Sequence, residues 1–124
     1  MQQKEGYELI KWVLPFGILE YFDFIEVKQT PATLHIYLAE KNVKPQEYAH
    51  QRLTSKGFFD DIQVQDFPIR AKNVFLVIKR RRWYNEDTGN AVFRDWNMVA
   101  KGTRMTEDFA SFLKVIARYP ASEL

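Results

Sequence analysis

The sequence predicts an α+β fold: one domain, residues 1–124, with an antiparallel sheet of about four to six strands and a helix at each end. Three observations predict it. Apolar and polar residues alternate with period two over 33–39 and 58–67. A short run, 73–78, is apolar on both faces, as in a strand covered on both sides. Helical spacing is confined to the two ends, at 5–14 and 106–119. With 124 residues, 46% of them apolar and 15% aromatic, the chain is long enough for one core and short for two.

In chain order, Leu9, Ile10 and Val13 set the face of a first helix over 5–14, which Pro15 halts. Residues 16–21 continue as a short helical or irregular piece around Gly17. Two strands, 22–29 and 33–39, follow as a hairpin turning at Thr30 and Pro31. Leu34, Ile36 and Leu38 are on its buried face, and His35 and Tyr37 on its polar one. Residues 40–57 are polar and predict a long connection with one helical turn after Pro45. The strand over 58–67 leads through a turn at 66–73 into the apolar strand. Near the C-terminus Thr106 is an N-cap, with Glu107 and Asp108 in the first turn. Phe109, Phe112, Leu113 and Ile116 then recur on one face of a helix that Pro120 stops.

The apolar strand ends in four consecutive cations, Lys79, Arg80, Arg81 and Arg82, followed by Trp83. A polar turn over 85–90, with Gly89 to supply a positive φ, and a return strand over 91–96 complete a hairpin spanning 73–96. Side chains alternate along a strand, so Arg80 and Arg82 share one face and Lys79, Arg81 and Trp83 the other. Residues 1–62 carry 7 Lys/Arg against 9 Asp/Glu, whereas 63–124 carry 11 against 7. Within 70–104 the balance is 9 cations to 3 anions, so the overall +2 conceals a local +6. Such a field attracts polyanions, and arginine suits bidentate phosphate contact. The competing reading is a solvated rim of arginines, their stems laid over aromatic rings.

Residues for catalysis are lacking. With no cysteine there is no thiol nucleophile and no thiolate metal site, and His35 and His50 are too few for a zinc site. Ser55 and Ser111 are in no nucleophile elbow, and Asp60 and Asp61, as neighbours on a strand, diverge. No glycine-rich phosphate loop, bilayer-spanning apolar run or signal-peptide pattern is present. A non-enzymatic, cofactor-free, cytoplasmic domain with no membrane association is expected.

Asp66-Phe67-Pro68, the apolar strand, Arg80-Arg81-Arg82-Trp83 and Thr103-Arg104-Met105-Thr106 stand in an order and spacing that resemble the N-terminal region of bacterial insertion-sequence transposases. The similarity is to the ISAon type, relatives of the larger ISL-three transposases, and covers about residues 18–119. Those relatives carry a zinc ribbon, with cysteines where this chain has 40–57 and 84–89 and no cysteine at all. The resemblance therefore implies a ribbon-like β-fold without metal, held by aromatic packing. The family's catalytic carboxylates belong to a later nuclease domain, into which the helix over 106–119 would lead.

The expected function is DNA binding at the element ends by a non-catalytic transposase region. The expected contacts are Lys79, Arg80, Arg81, Arg82, Trp83, Arg94, Lys101 and Arg104. The alternative is a protein-interaction module that docks the catalytic transposase chain or a second protomer, as in a homodimer.

Overall fold

The computed structural model describes residues 9–15, 17–94 and 105–116. The α+β class holds, with seven strands in two sheets and helices towards both ends among the described residues. A helical segment at 9–13 (α1) is followed by a short helix, Ile18–Tyr21 (α2). Gly17 between them has φ +83°, a conformation that costs glycine least. Strands β1 (Phe22–Gln29) and β2 (Thr33–Glu40) form the expected hairpin. Thr30 closes its turn: its Oγ1 accepts the Thr33 N–H at 3.0 Å, and its own N–H donates to the Thr33 carbonyl at 2.9 Å.

Residues 40–57 are more structured than their polarity predicts. The helical turn after Pro45 is a 3-10 turn, Gln46–Tyr48, but Leu53–Phe58 is a strand (β3). Its Thr-Ser-Lys-Gly composition hides it, because β3 sits at the edge of a small sheet and needs little apolar surface. The strand expected from 58 starts at Ile62 instead: β4 covers Ile62–Ile69 and β5 covers Lys72–Lys79. Their turn is two residues, Arg70 and Ala71, both with positive φ (52° and 64°), rather than the longer turn predicted. This is the sign of φ that a tight hairpin between twisted strands needs.

The larger sheet has the order β1-β2-β5-β4, and its central pair, β2 and β5, is parallel. The expectation of a wholly antiparallel sheet is thus corrected to a mixed one. β2 ends and β4 begins at the same end of the sheet, so 41–61 carry the chain past the place of β5, and β4 makes the return that a parallel β2–β5 pair needs. Ile36, Leu38, Val64, Val74, Leu76 and Ile78 line one face and pack with Leu14, Ile18, Leu19 and Phe22 from the N-terminal segment.

The hairpin expected over 73–96 is also corrected. β5 belongs to the larger sheet, and the chain leaves it at Arg80 to form β6 (Arg81–Asn85) in a second sheet, β3-β6-β7. The hairpin is β6 with the short β7 (Asn90–Val92), joined through Gly89 at φ +77°. The switch falls where the apolar run ends and continued burial would demand paired arginines. Helix α3 (Glu107–Ile116) is capped as predicted: Thr106 Oγ1 accepts the Phe109 N–H at 3.3 Å. It also donates to the buried Asp66 at 2.8 Å, tying the helix start to β4. Among the described residues no helix is long and apolar enough to cross a membrane.

Candidate nucleic-acid interface

The sheet switch at Arg80 divides the cation row into two populations. Alternation turns Arg81 and Trp83 inward, towards Glu40 at the end of β2. Glu40 is 2% exposed, and its carboxylate accepts three donors: the Arg81 N–H at 3.1 Å, Trp83 Nε1 at 3.0 Å and Arg94 Nε at 3.4 Å. Arg81 also gives Nη1 to Ser55 Oγ at 2.7 Å and Nη2 to the Glu40 carbonyl at 3.2 Å. Arg94 lies over the Tyr21 ring at 4.4 Å and donates Nη2 to the Val43 carbonyl. A buried ion pair needs its hydrogen bonds met, and the Arg94–Glu40 pair has partners on both sides.

In the other population Lys79 and Arg82 are exposed and Arg80 is half-buried, each seated on an aromatic ring. Arg80 lies between Phe59 (5.4 Å to the centroid) and Phe93 (5.3 Å), which meet edge to face at 6.1 Å. Arg82 lies over Phe59 at 5.8 Å. Lys79 Nζ is 5.4 Å from the Phe58 centroid, and Arg81 covers the same ring at 4.7 Å. Both Arg80 Nε and Arg81 Nε are enclosed and find no acceptor. Among the described residues, no carboxylate lies within ion-pair distance of Lys79, Arg80 or Arg82.

Of the eight contacts expected from sequence, the structure exposes Lys79 and Arg82 and half-buries Arg80; Arg80 and Arg82 share the Phe59 ring, while Lys79 shares Phe58 with Arg81. The structure places Trp83 and Arg94 in the interior and Arg81 half inside, all three around Glu40. Lys101 and Arg104 lie outside the described residues. Sequence reasoning missed Glu40 and the rings Phe58, Phe59 and Phe93. The Phe58-Phe59 doublet was visible, but only the pairing of β3 with β6 brings it beside the arginines.

The hairpin turn is braced separately. Asn85, 1% exposed, accepts the Asp87 and Thr88 N–H groups and donates to Gln51. Asp87 takes both the backbone N–H and Nε of Arg52, each at 3.0 Å. These bonds hold the Asp87 carboxyl below its ordinary value and raise the Arg52 guanidinium above its own. Among the described residues no three His, Cys, Asp or Glu side chains come together as a metal site. No family model, curated protein or solved structure matches this chain.

Proposed function

We propose that this chain is the non-catalytic N-terminal region of an insertion-sequence transposase, and that it binds DNA at the element ends through the cation row at the β5–β6 junction. The observation that carries DNA binding is the row of exposed Lys79 and Arg82 and half-buried Arg80, held on aromatic supports and lacking carboxylate partners among the described residues. Cations pre-positioned by stacking lose little side-chain entropy on meeting a phosphate. The transposase reading rests on the motif resemblance. It gains support from the bond between Asp66 and Thr106, which joins two of the resembling motifs. Arg81, Trp83 and Arg94 serve this function indirectly, by fixing β6 so that Arg80 and Arg82 face outward.

Duplex binding measured against salt tests it. Each phosphate contact contributes a log–log slope of about −0.9, so Arg80→Ala with Arg82→Ala flattens the slope by roughly two contacts. Lys11→Ala, on α1, leaves the slope unchanged. No duplex affinity at low salt, or equal losses in both variants, would overturn the proposal.

A second reading has its own observation. Leu9 is 70% and Trp12 83% exposed on α1, a surface suited to docking the catalytic chain or a second protomer. It predicts a protein-concentration-dependent mass that Trp12→Ala abolishes, with no duplex affinity.

A further inference from the structure

The outer face of the larger sheet continues the interface. On β5, Phe75, Val77 and Lys79 share the face opposite the core, in register with His35, Tyr37 and Ala39 of parallel β2. His35 and Phe75 stack at 5.3 Å with 22° between their planes, and Lys28 Nζ lies 5.1 Å from the Tyr37 centroid. All three rings are half-buried, so part of each reaches solvent. Gln63 and Gln65 of β4 oppose Val77 and Phe75 and bring amide groups to the same face. At the upper end Lys79 reaches over Phe58, where the arginines begin. Half-buried rings and cations thus run from His35 and Phe75 past the buried Val77 to Lys79, which shares the Phe58 ring with Arg81.

From this continuity we infer that the face takes single-stranded DNA, its bases on the His35, Tyr37 and Phe75 rings and its phosphates on Lys28, Lys79 and the outward arginines. The inference rests on the DNA-binding reading above and deepens it. Duplex DNA keeps its bases stacked inside and has no use for ring faces, whereas an unpaired strand offers bases to stack and phosphates to neutralise together. Lys28 and Lys79 have no carboxylate within ion-pair distance among the described residues, so an anionic strand supplies the missing counter-charge. Alternate residues on a strand are about 7 Å apart, which spaces the rings for successive splayed bases. Glu26 and Asp23 occupy this face higher on edge strand β1, so the DNA strand meets Lys28 beside His35 and then follows β5.

The test compares fluorescein-labelled oligothymidylate of about 12 nucleotides with its duplex and with oligouridylate, by anisotropy at matched salt. The variant Tyr37→Leu with Phe75→Leu keeps apolar bulk and removes two π faces. It should weaken single-strand binding by about 5- to 150-fold per lost stack and leave duplex affinity unchanged. On wild-type protein, photocrosslinking of a bromodeoxyuridine oligonucleotide should label peptides carrying His35, Tyr37 or Phe75, which decides the matter even if the leucine variant does not fold. Adducts confined to residues 80–93, equal affinity for both strand forms, or tighter binding of oligouridylate would overturn the inference. The first two outcomes leave duplex binding by Arg80 and Arg82 intact; loss of both strand forms at low salt removes the two readings together.

Discussion

Glu40 decides what the arginine row can do. It is the only carboxylate among the described residues to meet Arg94, and the same group holds the Trp83 indole and the Arg81 backbone. Removing one member of a buried ion pair leaves the other charge uncompensated, at a cost of about 3–5 kcal/mol. Glu40→Ala should therefore lower the unfolding free energy by roughly that amount, measured by urea denaturation. A loss below about 1 kcal/mol, the range of an exposed pair, would mean that the network is wetter than its geometry indicates. Asp87 acts at the surface and through pH. Its folded-state pKa lies below the ordinary 3.8, first through the Arg52 backbone N–H and then its side chain. The unfolded chain therefore takes up this proton first as pH falls. The stabilisation is full above the unfolded value and is lost as pH drops through the folded one. Asp87→Asn should accordingly show a shallower fall in melting temperature between pH 5 and pH 2 than wild type; parallel acid limbs would refute the coupling.

The turn from β4 into β5 has the right sign of φ but residues ill-suited to it. Ala71 at φ +64° pays the Cβ penalty of the left-handed region, about 1–2 kcal/mol, against a smaller entropic cost for glycine. Ala71→Gly should stabilise the protein by about 0.5–1 kcal/mol in the same denaturation assay; a net loss would argue that Ala71 leaves the left-handed region in solution. The turn also marks what the sequence could not reveal. Arg70 and Ala71 carry no turn signature, so the reversal was expected to need a longer loop. The β1–β2 hairpin, with Thr30 and Pro31 at its bend, was legible throughout. So was the Thr106 cap, because Ser/Thr before acidic residues and an apolar face has a local cause. Part of that face is seen: Phe109 is buried and meets Phe67 at 5.3 Å, while Leu113 is 38% exposed. The side chains of Phe112 and Ile116, expected on the same face, lie outside the described residues. Where pairing is long-range, local pattern failed. Nothing in Leu53–Phe58 announces that β3 joins β6, and nothing in β2 and β5 announces that they run parallel.

Across the molecule the same limit explains which part of the proposed interface could be read in advance. The cation run and its alternation were visible, and Arg80 with Arg82 on one side and Arg81 with Trp83 on the other follow from it. The partner that draws Arg81, Trp83 and Arg94 inward is 41 or more residues away in sequence, so no local signal marks it. This separation also distinguishes a site from a diffuse field. The chain carries a net +2, and most of its positive excess is in residues 70–104. If overall charge drove DNA binding, removing acidic groups anywhere would strengthen it as much as removing arginines weakens it. Glu20 and Glu47 are exposed and lie outside the interface, so Glu20→Gln with Glu47→Gln raises the net charge to +4 without touching the row. Steering by the whole-molecule field acts on the association rate and fades once the Debye length falls to about 10 Å or less, near 0.1 M salt. The glutamine pair should therefore speed association at low salt, lose that effect near 0.1 M, and keep the wild-type salt slope. Arg80→Ala with Arg82→Ala should instead flatten the slope and speed dissociation at every salt concentration. Stopped-flow measurement of both variants separates the two mechanisms, and an equal change of slope in both would show that no localised site exists.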